Sequence, residues 1–473
     1  MPPISHTLSA GLLVSCVLLV HPCLIHAASP IALAGFDLTA EPSVSVTLNG
    51  YNSYPASKSG TLNFAWKQIS GIRVTLTDAG KPQAHFQTPS KLPKDSQRQL
   101  VFRLTVTDAF RRKASDEVVV TLTTSTQCND RERAGSGVCL TPPRFNDTGI
   151  TQCSDTHVYG AACPLSLYPG QDGDYGRDAI TPGQAGFRFT RLDDQGKVLK
   201  SNGMAGACIR DDVTGLIWEN KTATGIHDVN IRYTRLNSDQ NPASELVRQT
   251  NDEALCGYKD WRLPNLMELQ GLAHYGIPFP GPVQNSDLFS LSLNETHWTG
   301  SLDLRHPNQA YVVQWDDGQV YRDAFDQPHA VRLVRGTPLV SRWFVSRSGD
   351  EVTDRTTGLT WKRCEEGTRW TGQTCEGHPR YFTWYEALQW VVPGELGWRV
   401  PNVKEMSSLI DPASTATLSF NTVMFPQATN NMFWTSSPYT LDTFFGWVVQ
   451  SFYGYAYFTY LEDTGALRLV RNR

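Results

Sequence analysis

The chain has 473 residues, of which 40% are apolar, 11% aromatic and 19% charged, a balance that excludes wholesale disorder, a coiled coil or a collagen-like array and supplies several packed cores. Its 42 basic and 46 acidic side chains leave a formal charge of −4, so no summed positive field exists to hold nucleic acid or an anionic lipid surface. The 37 Gly and 28 Pro residues favour turns and short strands over long helices.

Residues 7–20, TLSAGLLVSCVLLV, form an apolar run of the length of a secretory h-region, too short to cross about 30 Å of hydrocarbon. With the small residues Ala27 and Ala28 behind it, the run predicts a signal peptide over 1–28 and an exported chain, secreted, at the cell surface or in the periplasm. Leu13-Val14-Ser15-Cys16 offers the alternative of a lipobox, which would leave Cys16 acylated. No later segment reaches about 18 uninterrupted apolar residues, so no further membrane span is expected.

Ten cysteines stand at 16, 23, 128, 139, 153, 163, 208, 256, 364 and 375, and loss of the leader removes two. An even set in an exported chain reads as disulfides. Proximity in sequence pairs Cys128 with Cys139, Cys153 with Cys163, Cys208 with Cys256 and Cys364 with Cys375. Zinc would call for C-x-x-C or H-x-x-x-H spacing, which the sequence lacks.

From 30 to 124 short alternating runs, among them Ser43–Leu48, Leu62–Trp66, Phe102–Val106 and Val118–Leu122, are separated by turn residues in the rhythm of a β-sandwich. Phe64-Ala-Trp-Lys-Gln-Ile-Ser-Gly71 followed by Arg103-Leu-Thr-Val-Thr-Asp108 resembles the polycystic-kidney-disease (PKD) type of immunoglobulin-like domain, which implies a spacer. Residues 125–190 hold four cysteines and little periodicity, and read as a disulfide-stapled linker. Within it the alternate carboxylates of Asp172-Gly-Asp-Tyr-Gly-Arg-Asp178 admit a calcium loop, but the distal bidentate Glu of an EF-hand is missing and a solvated acidic turn is the preferred reading.

The rest of the chain repeats itself. Thr214-Gly-Leu-Ile-Trp218 recurs as Thr357-Gly-Leu-Thr-Trp361 at an offset of 143, Trp261-Arg-Leu-Pro264 as Trp398-Arg-Val-Pro401 at 137, and Trp298-Thr299 as Trp434-Thr435 at 136. Val331-Arg-Leu-Val-Arg335 recurs as Leu467-Arg-Leu-Val-Arg471, again at 136. One module is therefore duplicated, over 191–338 and 339–473, each copy long enough to bury a core. In each, Asn265 and Glu268, or Asn402 and Glu405, are spaced as a capping box that opens a helix. Leu266, Leu269, Leu272 and Ala273 share one face of the first helix, and Val403, Met406, Leu409 and Ile410 share that of the second. Ala310–Trp315, an Asp-Asp-Gly turn and Gln319–Arg322 read as a hairpin, with a last strand over Val331–Arg335.

These blocks resemble the Lcl C-terminal domain family, also catalogued as domain of unknown function 1566. The resemblance implies a fold related to C-type lectin-like domains. The expected fold class is thus multidomain, an all-β immunoglobulin-like sandwich followed by two α+β lectin-like modules. It also implies an exported binding module or adhesin whose partner is a glycan or cell-surface protein. Arg262, Pro264, Arg332 and Arg335, with Arg399, Pro401, Arg468 and Arg471, match the family blocks and are assigned to structure, since an arginine in an apolar strand usually holds a carboxylate.

Candidate ligand residues come from the difference between copies. Where the first has Asp316-Asp317-Gly318-Gln319, the second has Phe452-Tyr453-Gly454-Tyr455, with Tyr457 on the same stripe. An aromatic tip at a hairpin end suits stacking on a sugar or anchoring a protein, while packing against the neighbouring repeat stands as an equal alternative. No G-x-S-x-G, phosphate-binding loop or HExxH motif occurs, and neither catalysis nor a cofactor or metal is expected. The alternative function is a structural subunit of a pilus or envelope complex.

Overall fold

A computed structural model describes residues between 30 and 472, with gaps of which the longest are 54–60, 92–97, 124–132, 176–185 and 200–205. The signal peptide, Cys16 and the Cys128–Cys139 bridge lie outside the described residues. The chain divides into two compact units, 1–139 and 140–473.

The first unit is all β. One sheet runs β3 (Leu62–Ser70), β5 (Gln99–Asp108), β6 (Lys113–Leu122) and β1 (Leu38–Ala40), and a second pairs β2 (Ser45–Asn49) with β4 (Gln83–Gln87). Strict alternation builds the core: Leu100, Phe102, Leu104 and Val106 are buried while their neighbours point outward, as a half-buried strand requires. Phe86 of the second sheet meets Phe102 of the first at 4.7 Å.

The second unit holds both copies. The first copy includes β7 (Phe189–Leu192), β8 (Cys208–Asp211), β9 (Ile217–Glu219), α1 (Leu266–Gly271), β10 (Thr296–Leu302), β11 (Gln309–Gln314), β12 (Val320–Ala324) and β13 (Val334–Arg335), with a further helix over Ala243–Asp252 ahead of α1. The second includes β14 (Trp343–Val345), β15 (Glu351–Asp354), β16 (Leu359–Lys362), α2 (Val403–Ser407), β17 (Met432–Pro438), β18 (Phe445–Gln450), β19 (Tyr455–Tyr460) and β20 (Val470–Asn472), with a further helix over Trp384–Trp390 ahead of α2. Each copy makes one small sheet, β7-β8-β9-β13 or β14-β15-β16-β20. The hairpins instead join into one eight-stranded sheet, in which β10-β11-β12 of the first copy meet β19-β18-β17 of the second through the antiparallel pairing of Val320 with Ala456.

Local rules explain the elements. Both capping boxes form, with Asn265 Oδ1 accepting from the Glu268 N–H at 2.9 Å and Asn402 Oδ1 from the Glu405 N–H at 2.9 Å. The same glutamates take the family arginines in bidentate pairs, Arg262 at 2.7 and 2.7 Å and Arg399 at 2.6 and 2.6 Å. The expected apolar faces of α1 and α2 lie wholly in the shared core. Gly215 and Gly358 of the repeated Thr-Gly-Leu turn sit at φ +74° and +73°, a region that suits glycine. Disulfides join Cys153–Cys163, Cys208–Cys256 and Cys364–Cys375.

Two expectations change. The last strand of the first copy shrinks from Val331–Arg335 to Val334–Arg335, because side chains replace ladder partners: the Glu219 carboxylate accepts the Leu333 N–H at 2.7 Å and Arg332 donates to the Glu219 carbonyl at 2.8 Å. The cysteine-rich segment is also more than a connector. Asn146 donates to Asp211 of the first copy at 2.6 Å, and Asp147 accepts from Asn402 of the second at 3.2 Å, so this stretch ties the copies together.

Candidate functional site

The two hairpin turns lie beside the β12–β19 seam. In the second copy's turn, Gly454 at φ +71° lets the chain reverse tightly, and its backbone docks on the first copy. Arg305 donates to the Phe452 carbonyl at 2.5 Å, and the Tyr311 hydroxyl donates to the Tyr453 carbonyl at 3.3 Å. A Cβ on Gly454 would meet the Tyr311 hydroxyl at 2.6 Å, so only glycine fits.

Beneath the turn is a charged cradle. Asp303, 2% exposed, accepts from Arg305 at 2.8 and 2.8 Å, from His306 at 3.0 Å and from Arg322. Burial opposes its charge, yet the hydrogen bonds from Arg305 and Arg322 win and hold its carboxyl below the usual range. Burial and the Asp303 charge push the Tyr311 phenol up to about 12. The rings of Tyr453 and Tyr455 stack at 5.3 Å, and the Arg322 guanidinium lies 5.7 and 5.3 Å from their centroids, within cation–π range. Tyr453 is 43% exposed, whereas Phe452, Tyr455 and Tyr457 are half-buried. Phe452 meets Tyr453 edge-on at 4.8 Å, so the result is an aromatic cluster of which Tyr453 is the solvent-exposed member.

The first copy's turn is not the solvent-facing polar tip expected of it. Asp317 is only 7% exposed, accepts from the Gln319 backbone at 2.9 Å and is held above its ordinary pKa by burial. The Gly318 carbonyl accepts from Tyr275 at 2.9 Å, and Tyr275 meets Trp447 of the second copy edge-on at 4.9 Å. Burial and the charges of Asp317 and Asp316 push the Tyr439 phenol up to about 12. Duplication therefore yields a crossed arrangement: the aromatic turn rests on a charged wall, and the acidic turn faces an aromatic one. Asp316 and Asp317 do not join Tyr453 and Tyr455 in one site. Sequence reading missed Asp303, Arg305, Tyr311 and Arg322. Their signal was present, since at the 136 offset these positions become Tyr439, Leu441, Trp447 and Phe458.

The acidic loop of the cysteine-rich segment forms a 3-10 turn over Asp172–Asp174. Asp172 is buried and accepts from the Ser437 hydroxyl; Asp174 accepts from the Gly170 N–H at 2.7 Å. Asp178 lies outside the described residues.

A family model for the Lcl C-terminal domain matches residues 207–335 and again 350–471. The chain belongs to that family. Ahead of the two Lcl C-terminal repeats, a PKD domain model matches residues 34–122. No curated protein matches the chain. Among solved structures it is similar to a nucleoside hydrolase-related hypothetical protein from Saccharophagus degradans associated with carbohydrate metabolism, 19% identical over 20% of this chain and 26% of that one, TM-score 0.18; the chain spans about a quarter of that protein. It is 23% identical to the PKD domain of the KIAA 1837 protein over 22% of this chain and 96% of that one, TM-score 0.17. The adhesin InvE of Yersinia pseudotuberculosis is 12% identical over 93% of this chain and 96% of that one, TM-score 0.18. Scores this low carry no argument. Among the described residues no helix is long and apolar enough to cross a membrane.

Proposed function

We propose that this is an exported surface or periplasmic binding protein of the adhesin type. A PKD spacer carries two Lcl C-terminal repeats of lectin-like α+β build, and the second repeat recognises carbohydrate without catalysis. The observation that carries this reading is the exposed Tyr453, stacked on Tyr455 and backed by Arg322. Such a platform offers a flat apolar face for the C–H face of a sugar, with phenol and guanidinium groups at its edge for hydroxyls. PKD spacers and disulfides suit a chain working outside the cytoplasm.

A second reading, a structural subunit of a pilus or envelope complex, is favoured by a separate observation: the backbone of Phe452 and Tyr453 is part of the joint between copies. A glycan array run with the wild type and a Tyr453→Ala, Tyr455→Ala double variant separates the two, with melting temperature as the companion readout. Binding that disappears while the melting temperature holds supports recognition. Unchanged binding with a lowered melting temperature assigns the rings to the joint.

A further inference from the structure

The duplication makes two related clefts on either side of the seam, and the described residues close only one of them. In the closed cleft Phe187 is sandwiched, its ring stacked on Phe189 at 5.8 Å and on His274 at 5.3 Å, with Lys404 Nζ 4.6 Å from its centroid. The acid Asp172 accepts from Ser437 at the same place. Ring and carboxyl group thus fill a cleft whose walls carry Lys404 and His274.

The partner cleft is open, about 360 Å³, with Trp343, Met267, Ser301 and Asp411 in its lining, a size typical of small-ligand sites. These residues occupy the equivalent positions. Trp343 pairs with Asp354 as Phe189 pairs with Asp211, so Trp343 replaces Phe189. The repeat offsets put Asp411 at the place of His274, Met267 at that of Lys404 and Ser301 at that of Ser437. The wall base Lys404 has given way to Met267, and the buried imidazole of His274, held down to about 4 and so uncharged at neutral pH, has given way to the carboxylate of Asp411. Asp411 accepts from the Ala413 N–H at 3.0 Å and from Asn421 at 3.4 Å, and among the described residues no Lys, Arg or His pairs with it. The Ser301 hydroxyl accepts from the Leu266 N–H at 2.9 Å, but among the described residues it has no acceptor like the Asp172 that Ser437 finds.

We infer that the open cleft binds an organic cation with a flat apolar body, held between the Trp343 ring and the Asp411 carboxylate. The closed cleft supplies the template, a ring lying between two walls. The open cleft has lost its base and gained a carboxylate, which favours a guest of positive charge. An indole or benzyl body fits the slot that Phe187 fills on the other side, while the ammonium group meets a carboxylate and an aromatic face, the two partners that favour a desolvated cation. An anionic guest would meet Asp411 with no compensating base. This site is independent of the tyrosine platform.

The test is calorimetric titration of the full chain with tryptamine, and with indole-3-propionate as an anionic control of similar shape. Saturable tryptamine binding, no propionate binding and a loss of roughly tenfold or more in affinity for Asp411→Asn and for Met267→Lys are expected. Met267→Lys restores the residue of the closed cleft at the rim and leaves the Asp411 turn intact, and circular dichroism checks that both variants remain folded. Absence of tryptamine binding, equal binding of the anion, or binding that survives both substitutions in folded protein would overturn the inference.

Discussion

The Gln270 side-chain amide donates to the Ser407 hydroxyl at 3.0 Å, and at the 137 offset these two residues hold the same position in the two copies. Val320 and Ala456, paired across the seam, are likewise equivalents at 136. A position that meets its own equivalent marks a two-fold axis, so the tandem repeat is an isologous dimer written in one chain. Once joined, each half was free to diverge on one side only, as the two turns and the two clefts have done.

Asp303 is the keystone of the charged wall. Its replacement by Ala leaves Arg305 and the buried Arg322, with side-chain exposures of 9% and 4%, without their anion. A loss of about 3 kcal/mol or more in urea unfolding is expected. Tyr453→Ala, by contrast, removes a ring already 43% exposed and should cost about 1 kcal/mol or less.

Glu405 both caps α2 and neutralises Arg399, whose side chain is 7% exposed. Glu405→Ala should therefore lower stability by about 3 kcal/mol, most of it from the buried guanidinium left behind. Glu405→Gln, which retains an acceptor for the Asn402 N–H, should cost less; chemical denaturation of the pair checks the order.

Burial, then the charge of Asp147, pushes the Asp172 carboxyl up from 3.8 to about 8. Glu405 also faces it and raises it, while the Ser437 and Thr148 hydroxyls oppose; Arg399 and Lys404 lie on the same side. A folded-state pKa above the unfolded one means that the fold binds the proton. Its contribution is present below about 4 and is lost as pH rises to about 8. His227, held up by Glu219 and Glu253 against burial, adds a fall of the same sign. The difference between wild type and Asp172→Asn isolates Asp172: their melting temperatures should diverge in favour of the variant across that window, and parallel curves would refute the assignment.

Much of this was legible from spacing. The repeat, both capping boxes, the buried helix faces, the structural role of Arg262 and Arg399 and three of the disulfides all follow from local pattern, because each depends on neighbours close in sequence or on one periodicity. The fate of the turns does not. Whether Asp317 faces water depends on Tyr439 and Trp447, more than a hundred residues away, and on where the two-fold axis falls. Hydrophobic alternation fixes which face of β12 is buried but not which strand lies beside it. The shortened last strand had no local signal either, because Glu219, more than a hundred residues away, takes the hydrogen bonds of Leu333 and Arg332.

The central claim is that the two repeats share one core through the Val320–Ala456 seam, where exposures are 1% and 0%. Differential scanning calorimetry of the full chain with and without Ala456→Asp tests it directly. Because a buried unpaired carboxylate is strongly destabilising, the transition of the 140–473 unit should move down as a whole, in a single step. Two separable transitions for that unit, with only one shifted by the substitution, would show that the repeats fold independently and contradict the account.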